Sequence, residues 1–270
     1  MTTRDATPPA ATTPRSVRLE RPSDHVAELV LDRPEALNAI STAHARAIGA
    51  ACAELTDDDR VRVVLLTSTS DRAFSVGADL KERRGMSTEQ LLQQRQVTRT
   101  AYRGVLGLSM PVVAVVEGYA LGGGFELALA CDLIVASTTA TFGLPEVGVG
   151  IVPGGGGTQL LTRRLGYNAA ADIILTGRHL DAAEAKSYGI VDRLTEPGAA
   201  RTVAAELADR LASRSPVAVR QAKIAMRHGL DLPLAEGLQI EERAWENAIS
   251  SADRVEGVAA FVEKREPRWG

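Results

Sequence analysis

The stretch VVAVVEGYALGGGFELALACDLIVA, residues 112–136, contains the pattern that decides the fold. It opens with an unbroken apolar run of strand length (112–116) and closes with a second one (133–136). Between them, three consecutive glycines precede the apolar run from Phe125 to Ala130, which has the composition of a short helix. Strands that are apolar on both faces and alternate with helices are typical of parallel sheets. The segment therefore predicts an α/β fold.

The same alternation of strand and helix extends upstream of this segment. Residues 17–21 and 25–32 flank a short turn and predict a hairpin. A helix with Ser41 as its N-cap is expected to run to Leu55, followed by a strand over 63–67 and a long helix from Ser87 to Leu108. Beyond about Asp181 the strand signals stop, and four segments with helical periodicity follow. We therefore predict an α/β part up to about residue 195 and an all-helical part after it, with no repeat of fixed period.

Composition narrows the class of protein. The 270 residues are 45% hydrophobic and 24% charged, which is ordinary for a globular protein, and the formal net charge is −3. That charge disfavours nucleic acid or an anionic membrane as a partner. Residues 1–16 are rich in Thr, Ala and Pro and lack the apolar region of a signal peptide, so they predict a disordered N-terminal tail. The apolar tract from residue 110 to 136 is interrupted by acids and glycines, so no membrane-spanning segment is expected.

Cysteine and histidine positions bear on compartment and metal binding. Cys52 and Cys131 both lie in apolar runs of predicted helices, which favours buried free thiols over a disulfide. Free thiols are typical of a reducing compartment, so a cytoplasmic location is expected. The four histidines do not cluster with other ligand types, and we predict no metal site.

Two glycine-rich stretches invite a nucleotide-binding interpretation that their residues do not support. PGGGGTQ (153–159) lacks the Lys followed by Ser or Thr that a phosphate-binding loop needs. GVGIVPG (148–154) has Pro153 where a dinucleotide fingerprint requires its third glycine. We therefore predict neither a phosphate-binding loop nor a bound dinucleotide.

The glycines at 122–124 stand at a strand-to-helix turn, where unpaired backbone amides collect. They allow either a tight turn with positive φ or the close approach of a ligand oxygen. Glu126, in the first helical turn, either stabilises the helix dipole by up to ~1 kcal/mol or serves as an acid–base group among apolar neighbours. Glu146 lies in a loop with few other charges. Two carboxyl groups near free amides could position one water and move one proton.

Three motifs in their order resemble the crotonase superfamily, specifically the enoyl-CoA hydratase/isomerase family. They are FSVGADLKER (74–83), residues 115–136 and FGLPEVGVGIVPGGGGTQLLTRRLG (142–166). Within the family, the sequence is most similar to the methylglutaconyl-CoA hydratase branch. The resemblance, which runs from about Val17 to the C-terminus, implies a superhelix of ββα units with a helical C-terminal region. It further implies an active-site core over 17–195, a trimerisation region over 196–270, and a homotrimer or a dimer of trimers.

The resemblance also implies a site and a reaction. The amides of Ala78 and Gly123 correspond to the pair that holds the thioester carbonyl of an acyl-CoA, and Glu126 and Glu146 correspond to the two glutamates of the hydratases. Many relatives that isomerise or hydrolyse lack one of the two, so hydration of a trans-2-enoyl-CoA is expected. The alternatives are an enoyl-CoA isomerase and a non-catalytic CoA-binding protein.

Coenzyme A is expected only as part of the substrate, with no separate cofactor. The resemblance places the backbone at Asn38 near the CoA moiety, and it adds Ala78, Asp79, Leu80, Lys81 and Gly123 as CoA contacts. For Asp79 the favoured interpretation is an N-cap, and Lys81 can face phosphate or solvent. Some of the branch bind RNA through a lysine-rich helix, but the corresponding residues 41–60 contain no lysine and three consecutive aspartates, so no nucleic acid is expected.

The resemblance implies that the acyl end of the substrate meets the helix predicted over 87–108 and C-terminal helices, which can belong to a neighbouring subunit. Arg95, Arg99 and Tyr102 on this helix are candidates to read a polar acyl end. The sequence leaves open which of the three face the cavity.

Overall fold

Two β-sheets organise the chain in the computed structural model, which describes residues 16–270. The predicted tail over 1–16 lies outside the described residues except for Ser16. The larger sheet has six strands in the order β1-β2-β3-β5-β7-β10, with β1 antiparallel to β2 and the other pairs parallel. Its strands are β1 (Val17–Ser23), β2 (Val26–Leu31), β3 (Val63–Ser68), β5 (Val112–Val116), β7 (Leu133–Ser137) and β10 (Arg193–Thr195).

The smaller sheet has four strands of three residues each, in the order β4-β6-β8-β9. They are β4 (Ala73–Ser75), β6 (Tyr119–Leu121), β8 (Thr141–Gly143) and β9 (His179–Asp181). The chain alternates between the sheets, because β3, β5 and β7 lie in the larger one and the strand after each lies in the smaller one. Each pair is followed by helix, which confirms the ββα units of a crotonase-like fold.

Eleven α-helices surround the sheets within residues 16–270. They are α1 (Thr42–Asp57), α2 (Leu80–Arg83), α3 (Thr88–Gly107), α4 (Gly123–Ala130), α5 (Gly157–Leu165), α6 (Tyr167–Thr176), α7 (Ala182–Ser187), α8 (Ala200–Ala212), α9 (Pro216–Gly229), α10 (Leu234–Ile249) and α11 (Ala252–Glu263). Short 3-10 helices occur at Pro34–Ala36 and Pro145–Val149.

Local sequence signals explain where the helices begin. The Ser41 side chain accepts a hydrogen bond from the His44 amide and caps α1, as predicted. Ser87 and Gln90 form a capping box at the start of α3, which satisfies two amides that the helix leaves unpaired. The expectation that strands stop beyond about Asp181 is wrong, because β10 pairs in parallel with β7. This three-residue strand at the sheet edge has no apolar run to reveal it, and the helix before it ends at Ser187.

Both faces of the larger sheet are buried, as its apolar strands predicted. One face packs in a core cluster that includes residues of α1, α3 and α4. The other face packs against α8 through Ala204, Leu207 and Ala208. Burying a Val or Leu side chain fully contributes about 1.5–3 kcal/mol, so these two layers supply most of the stabilisation of the core. Cys52 and Cys131 are buried free thiols, as expected.

Ion pairs to Asp132 attach helix α9 to the α/β part of the chain. Lys223 and Arg227 of α9 both bind the Asp132 carboxylate, which follows α4, at 2.7 Å. Beyond this anchor, α10 and α11 expose large apolar side chains. Among them are Leu234, Leu238, Trp245, Phe261 and Val262.

Across residues 16–270, every helix is too short or too polar to cross a membrane.

One buried histidine makes the stability of the fold depend on pH. His44 on α1 is fully buried, and neither ring nitrogen has a hydrogen-bond partner among residues 16–270. Burial, assisted by the Arg33 guanidinium, lowers the pKa of His44 from 6.5 to about 4, and the Ala39 carbonyl opposes this shift only in part. The folded state therefore binds fewer protons than the unfolded state between these values, and stability is lost as pH falls through this window.

We expect His44→Leu, a change to an apolar side chain of similar volume, to remove this pH dependence. Between pH 7.5 and pH 5, the His44 contribution to the free energy of unfolding should fall by about 2 kcal/mol in the native chain. Urea unfolding of the native protein and of His44→Leu at both pH values measures this loss. Other titrating groups are the same in the two proteins, so their contribution cancels in the comparison. Equal losses in the two proteins would show that His44 carries no such penalty.

Candidate active site

A cavity of about 670 Å³ lies where the two sheets meet the helices. Four parts of the chain form its walls: the segment over residues 76–83, one face of α3, the start of α4 with the turn before it, and the segment over residues 145–155. The cavity brings together four residues predicted from sequence to do chemistry, namely Ala78, Gly123, Glu126 and Glu146.

Each glycine of the turn before α4 has its own packing reason. Gly122 has φ of 52°, a region that favours glycine. A Cβ on Gly123 would lie 2.2 Å from the Tyr102 hydroxyl, and a Cβ on Gly124 would lie 2.0 Å from the Ser75 carbonyl oxygen. The positive φ of Gly122 agrees with the tight-turn interpretation, and close packing within the chain gives Gly123 and Gly124 a further reason to be glycine.

Two backbone amides beside the cavity, one at this turn and one after β4, have no acceptor within residues 16–270. Gly123 is the first residue of α4, where helix geometry leaves the N–H unpaired. Ala78 bridges to Ile40, but the bonds of this bridge use the carbonyl of Gly77 and the amide of Asp79, which leaves the Ala78 amide free. A Cβ on Gly77 would lie 2.6 Å from the Gly123 nitrogen, so the two segments are in contact. The cavity wall thus presents two adjacent, unpaired donors.

Glu126 is held by the glycine-rich loop that precedes α5. Its Oε1 accepts hydrogen bonds from the amides of Gly155 at 2.6 Å and Gly157 at 2.8 Å. The residue is only 3% exposed, and this burial raises the pKa of Glu126. The two amides act in the opposite direction because they favour the charged carboxylate. The glycine-rich loop at 153–159, which lacks nucleotide-binding features, therefore holds the Glu126 carboxyl group in place.

Glu146 approaches the same cavity from the 3-10 helix Pro145–Val149. Its Oε2 is buried and has no hydrogen-bond partner within the described chain. Burial raises the pKa of Glu146 to about 7, and the charge of Glu126 adds to the effect. Of the two carboxyl groups, Glu126 has donors that favour its ionised form, whereas Glu146 has an oxygen without a donor. The arrangement suits one base and one acid in the same cavity.

The residues predicted to contact CoA divide into two groups. Leu80 lines the cavity together with Ala78 and Gly123, whereas Asn38, Asp79 and Lys81 do not. For all the residues in this set, contact with CoA stays a prediction.

The side chains of Asn38 and Asp79 support the loops around the site. Asn38 is fully buried, and its side chain accepts from the Arg33 amide at 2.7 Å and donates to the Phe74 carbonyl. Asp79 caps α2 by accepting from the Glu82 amide, and it pairs with Arg33 at 3.2 Å. The N-cap alternative for Asp79 is therefore confirmed, while Lys81 is exposed.

The cavity-facing side of α3 separates the three candidates for reading the acyl end. Arg95 and Tyr102 line the cavity, and Arg99 does not. Thr98 also lines it, so the spacing 95, 98, 102 defines one face of the helix. Burial strongly raises the pKa of Tyr102, which keeps its hydroxyl protonated. Within residues 16–270, no three His, Cys, Asp or Glu side chains are grouped as metal ligands.

Comparisons with known proteins identify relatives of this chain. The family model described as enoyl-CoA hydratase/isomerase matches residues 21–270. The mouse mitochondrial enoyl-CoA hydratase domain-containing protein 2 is 39% identical over 255 residues, covering 93% of this chain and 86% of that protein. The mouse mitochondrial methylglutaconyl-CoA hydratase is 38% identical over 255 residues, covering 93% and 81%. A crystal structure of enoyl-CoA hydratase from Bacillus anthracis is 40% identical, with a TM-score of 0.92 over 94% of this chain and 98% of that one.

We expect Gly155→Ala to destabilise the protein at the Glu126 anchor. The new Cβ would lie 2.7 Å from the Tyr102 ring and 2.8 Å from Glu126 Oε2, so the loop or the carboxyl group must move. Overpacking of this kind costs about 1–3 kcal/mol in the free energy of unfolding. Chemical unfolding at fixed protein concentration measures the cost.

Gly148→Ala is the matched control for this substitution. Gly148 lies in the 3-10 helix Pro145–Val149 without positive φ, and a Cβ there has no neighbour within 4 Å. We expect it to change the free energy of unfolding by less than about 0.5 kcal/mol. Similar effects from both alanines would contradict the close packing around Glu126.

Proposed function

The chain belongs to the enoyl-CoA hydratase/isomerase family, and we propose that it is an enoyl-CoA hydratase, a hydro-lyase that adds water reversibly to trans-2-enoyl-CoA thioesters. One observation carries the proposal. Two carboxyl groups, Glu126 and Glu146, line a cavity whose wall also presents the unpaired amides of Ala78 and Gly123. Hydration needs both features, because it moves two protons and builds charge on an oxygen.

The two amides stabilise the charge that develops during the addition. When water attacks C3 of a conjugated thioester, electron density moves to the thioester oxygen and an enolate-like state forms. Donors already aimed at that oxygen lower the barrier without reorganisation, and losing one such donor commonly costs ~10²–10³ in rate. Gly123 also places the positive end of the α4 dipole behind this oxygen.

The two glutamates handle the protons of the added water. Glu126, as the carboxylate, accepts a proton from the water as its oxygen bonds to C3. Glu146, as the carboxylic acid, delivers its proton to C2, and the two groups then re-exchange their protons through water before the next turnover. The amides of Gly155 and Gly157 on Glu126 and the raised pKa of Glu146, about 7, support this division of roles.

We expect Glu126→Gln and Glu146→Gln each to lower the rate of crotonyl-CoA hydration by about 10²–10⁴. Each variant keeps the shape of the side chain but removes its ability to accept or donate the transferred proton. Steady-state hydration kinetics measure the loss. Glu89→Gln, an exposed position on α3 outside the cavity, is the control and should retain full activity. Near-normal turnover in either glutamine variant at the site would overturn the assignment.

An enoyl-CoA isomerase and a non-catalytic CoA-binding protein are the alternatives. An isomerase shifts a double bond with a single glutamate, so a second carboxyl group at the cavity favours hydration. A 3-enoyl-CoA substrate in ¹⁸O-labelled water separates the first two, because isomerisation yields a conjugated product without label. A non-catalytic CoA-binding protein would bind CoA but would convert none of a series of short, long, branched and carboxylated enoyl-CoA substrates.

We also propose that the chain assembles as a homotrimer or a dimer of trimers through residues 196–270. The exposed apolar side chains of α10 and α11 support this, because surface of this kind marks contact with another protein surface. Light scattering should give a multiple of three times the chain mass of 28.6 kDa. Trp245→Arg with Phe261→Arg should lower the measured mass, since charge on this surface opposes its burial. A monomeric mass for the native chain would contradict the proposal.

The remaining expectations concern the cellular setting. CoA enters as part of the substrate, with no separate cofactor, and the unpaired thiols of Cys52 and Cys131 fit a reducing compartment such as the cytoplasm. The net charge of −3 gives no support for a nucleic acid partner. A role in fatty acid metabolism follows from the proposed substrate class.

A further inference from the structure

Two arginines, Arg83 and Arg95, line the active-site cavity, and only the Arg95 guanidinium lacks a partner within residues 16–270. Arg95 lines the cavity from α3, on the face that also carries Thr98 and Tyr102. Its guanidinium rests against the backbone of Gly154, where a Cβ would lie 2.6 Å from Arg95 Nη1. The absence of a side chain at residue 154 therefore gives the guanidinium its place on the cavity wall.

The Arg95 side chain makes no ion pair or hydrogen bond to any residue of the described chain, 16–270. Other arginines around the site do have partners: Arg83 donates to the Gln94 side chain at 2.9 Å, and Arg33 pairs with Asp79 at 3.2 Å. A guanidinium carries five N–H donors in a fixed planar fork, which matches the two oxygens of a carboxylate. The donors of Arg95 are thus available to a ligand in the cavity.

The surroundings of Arg95 indicate what kind of ligand suits it. The wall next to it is apolar, with Leu91 and Leu92 on α3 and Ile151 and Val152 on the facing loop. Apolar walls of this kind fit a hydrocarbon acyl chain, and one cation among them fits a single anionic group on that chain. The thioester end of the substrate is already assigned to the amides of Ala78 and Gly123 in the proposed function.

A second role for Arg95 has to be separated from ligand binding. The positive charge of Arg95 lowers the pKa of Glu126, although burial and the backbone amides have larger effects. If supporting Glu126 were its only role, loss of Arg95 would slow the reaction of every substrate equally. A group that binds the substrate affects only those substrates that carry its counterpart.

We propose that Arg95 is a specificity-determining residue that selects enoyl-CoA thioesters whose acyl chain ends in a carboxylate. The substrate carboxylate accepts two hydrogen bonds from the Arg95 guanidinium, while the thioester oxygen meets the amides of Ala78 and Gly123. This inference rests on the proposed hydratase function and extends it to a substrate class. Arg95 touches the end of the acyl chain that does not react, so it takes no part in proton transfer.

Kinetics with two substrates of equal chain length test the inference. Glutaconyl-CoA ends in a carboxylate, and 2-pentenoyl-CoA ends in a methyl group. We expect the native enzyme to prefer glutaconyl-CoA in kcat/KM by at least about 10-fold, because hydrogen bonds to a charged group are worth this much. Arg95→Met should lower kcat/KM for glutaconyl-CoA by about 10- to 100-fold, mainly through KM, and leave 2-pentenoyl-CoA nearly unchanged.

Two further variants sharpen the result. Arg95→Lys keeps the charge but lacks the planar fork, so it should restore only part of the preference. Arg99→Met removes an arginine from the same helix, one turn further on and outside the cavity, and should leave both substrates unaffected. Equal losses for both substrates in Arg95→Met, or a native enzyme without preference, would overturn the inference and leave the hydratase function intact.

A binding measurement separates failure of the inference from failure of the proposed function. Glutaryl-CoA and valeryl-CoA are saturated thioesters of equal length that cannot be hydrated. Calorimetry should show tighter binding of glutaryl-CoA to the native protein and loss of that difference in Arg95→Met. If the native protein hydrates neither enoyl-CoA, the hydratase proposal fails, and the calorimetric difference still supports or overturns the role of Arg95.

Discussion

The contact between the backbone at Ser75 and the glycines at the start of α4 is the constraint on which the site depends. A Cβ on Gly124 would lie 2.0 Å from the Ser75 carbonyl oxygen, so only glycine allows this approach. The contact joins the end of β4 to the beginning of α4 and sets the Ala78 and Gly123 amides side by side. The geometry of the two free donors therefore follows from close packing of main chain on main chain, which is stiffer than packing of side chains.

The same helix start determines the electrostatics of the cavity. Glu126 lies one turn into α4, and its carboxyl group would be costly to bury without donors. The backbone amides of Gly155 and Gly157, 29 and 31 residues further along the chain, offset this desolvation by donating hydrogen bonds to the carboxyl group. Glu146 receives no such donor on Oε2, and burial raises its pKa to about 7. Burial thus raises the pKa of both side chains, but backbone amides that favour the ionised carboxylate oppose this shift at Glu126.

Sequence reasoning succeeded where the physical cause is local and failed where it is not. The strands over 112–116 and 133–136, the N-cap at Ser41 and the helix that starts after Ser87 were predictable because apolar runs and helix-start signals act within a few positions. The smaller sheet was not, because its strands have three residues each and gain their order from pairing across the chain. The ββα units also escaped a search for a fixed period, because successive units begin at the unequally spaced positions 63, 112 and 133. The residues for the two amides and two glutamates came from the family resemblance, whereas the hydrogen bonds from Gly155 and Gly157 to Glu126 required the structure.

Helix α4 connects the site to the C-terminal helices through a short rigid path. All eight of its residues are buried, so it has no solvent-facing side along which to shift. At its N-terminal end it presents the Gly123 amide and Glu126. Just beyond its C-terminal end, Asp132 binds Lys223 and Arg227 of α9, and Arg227 also donates to the Ala130 carbonyl at 3.0 Å. Because one buried helix carries Glu126 and directly precedes Asp132, the contacts that position the C-terminal helices lie within a few residues of the candidate site.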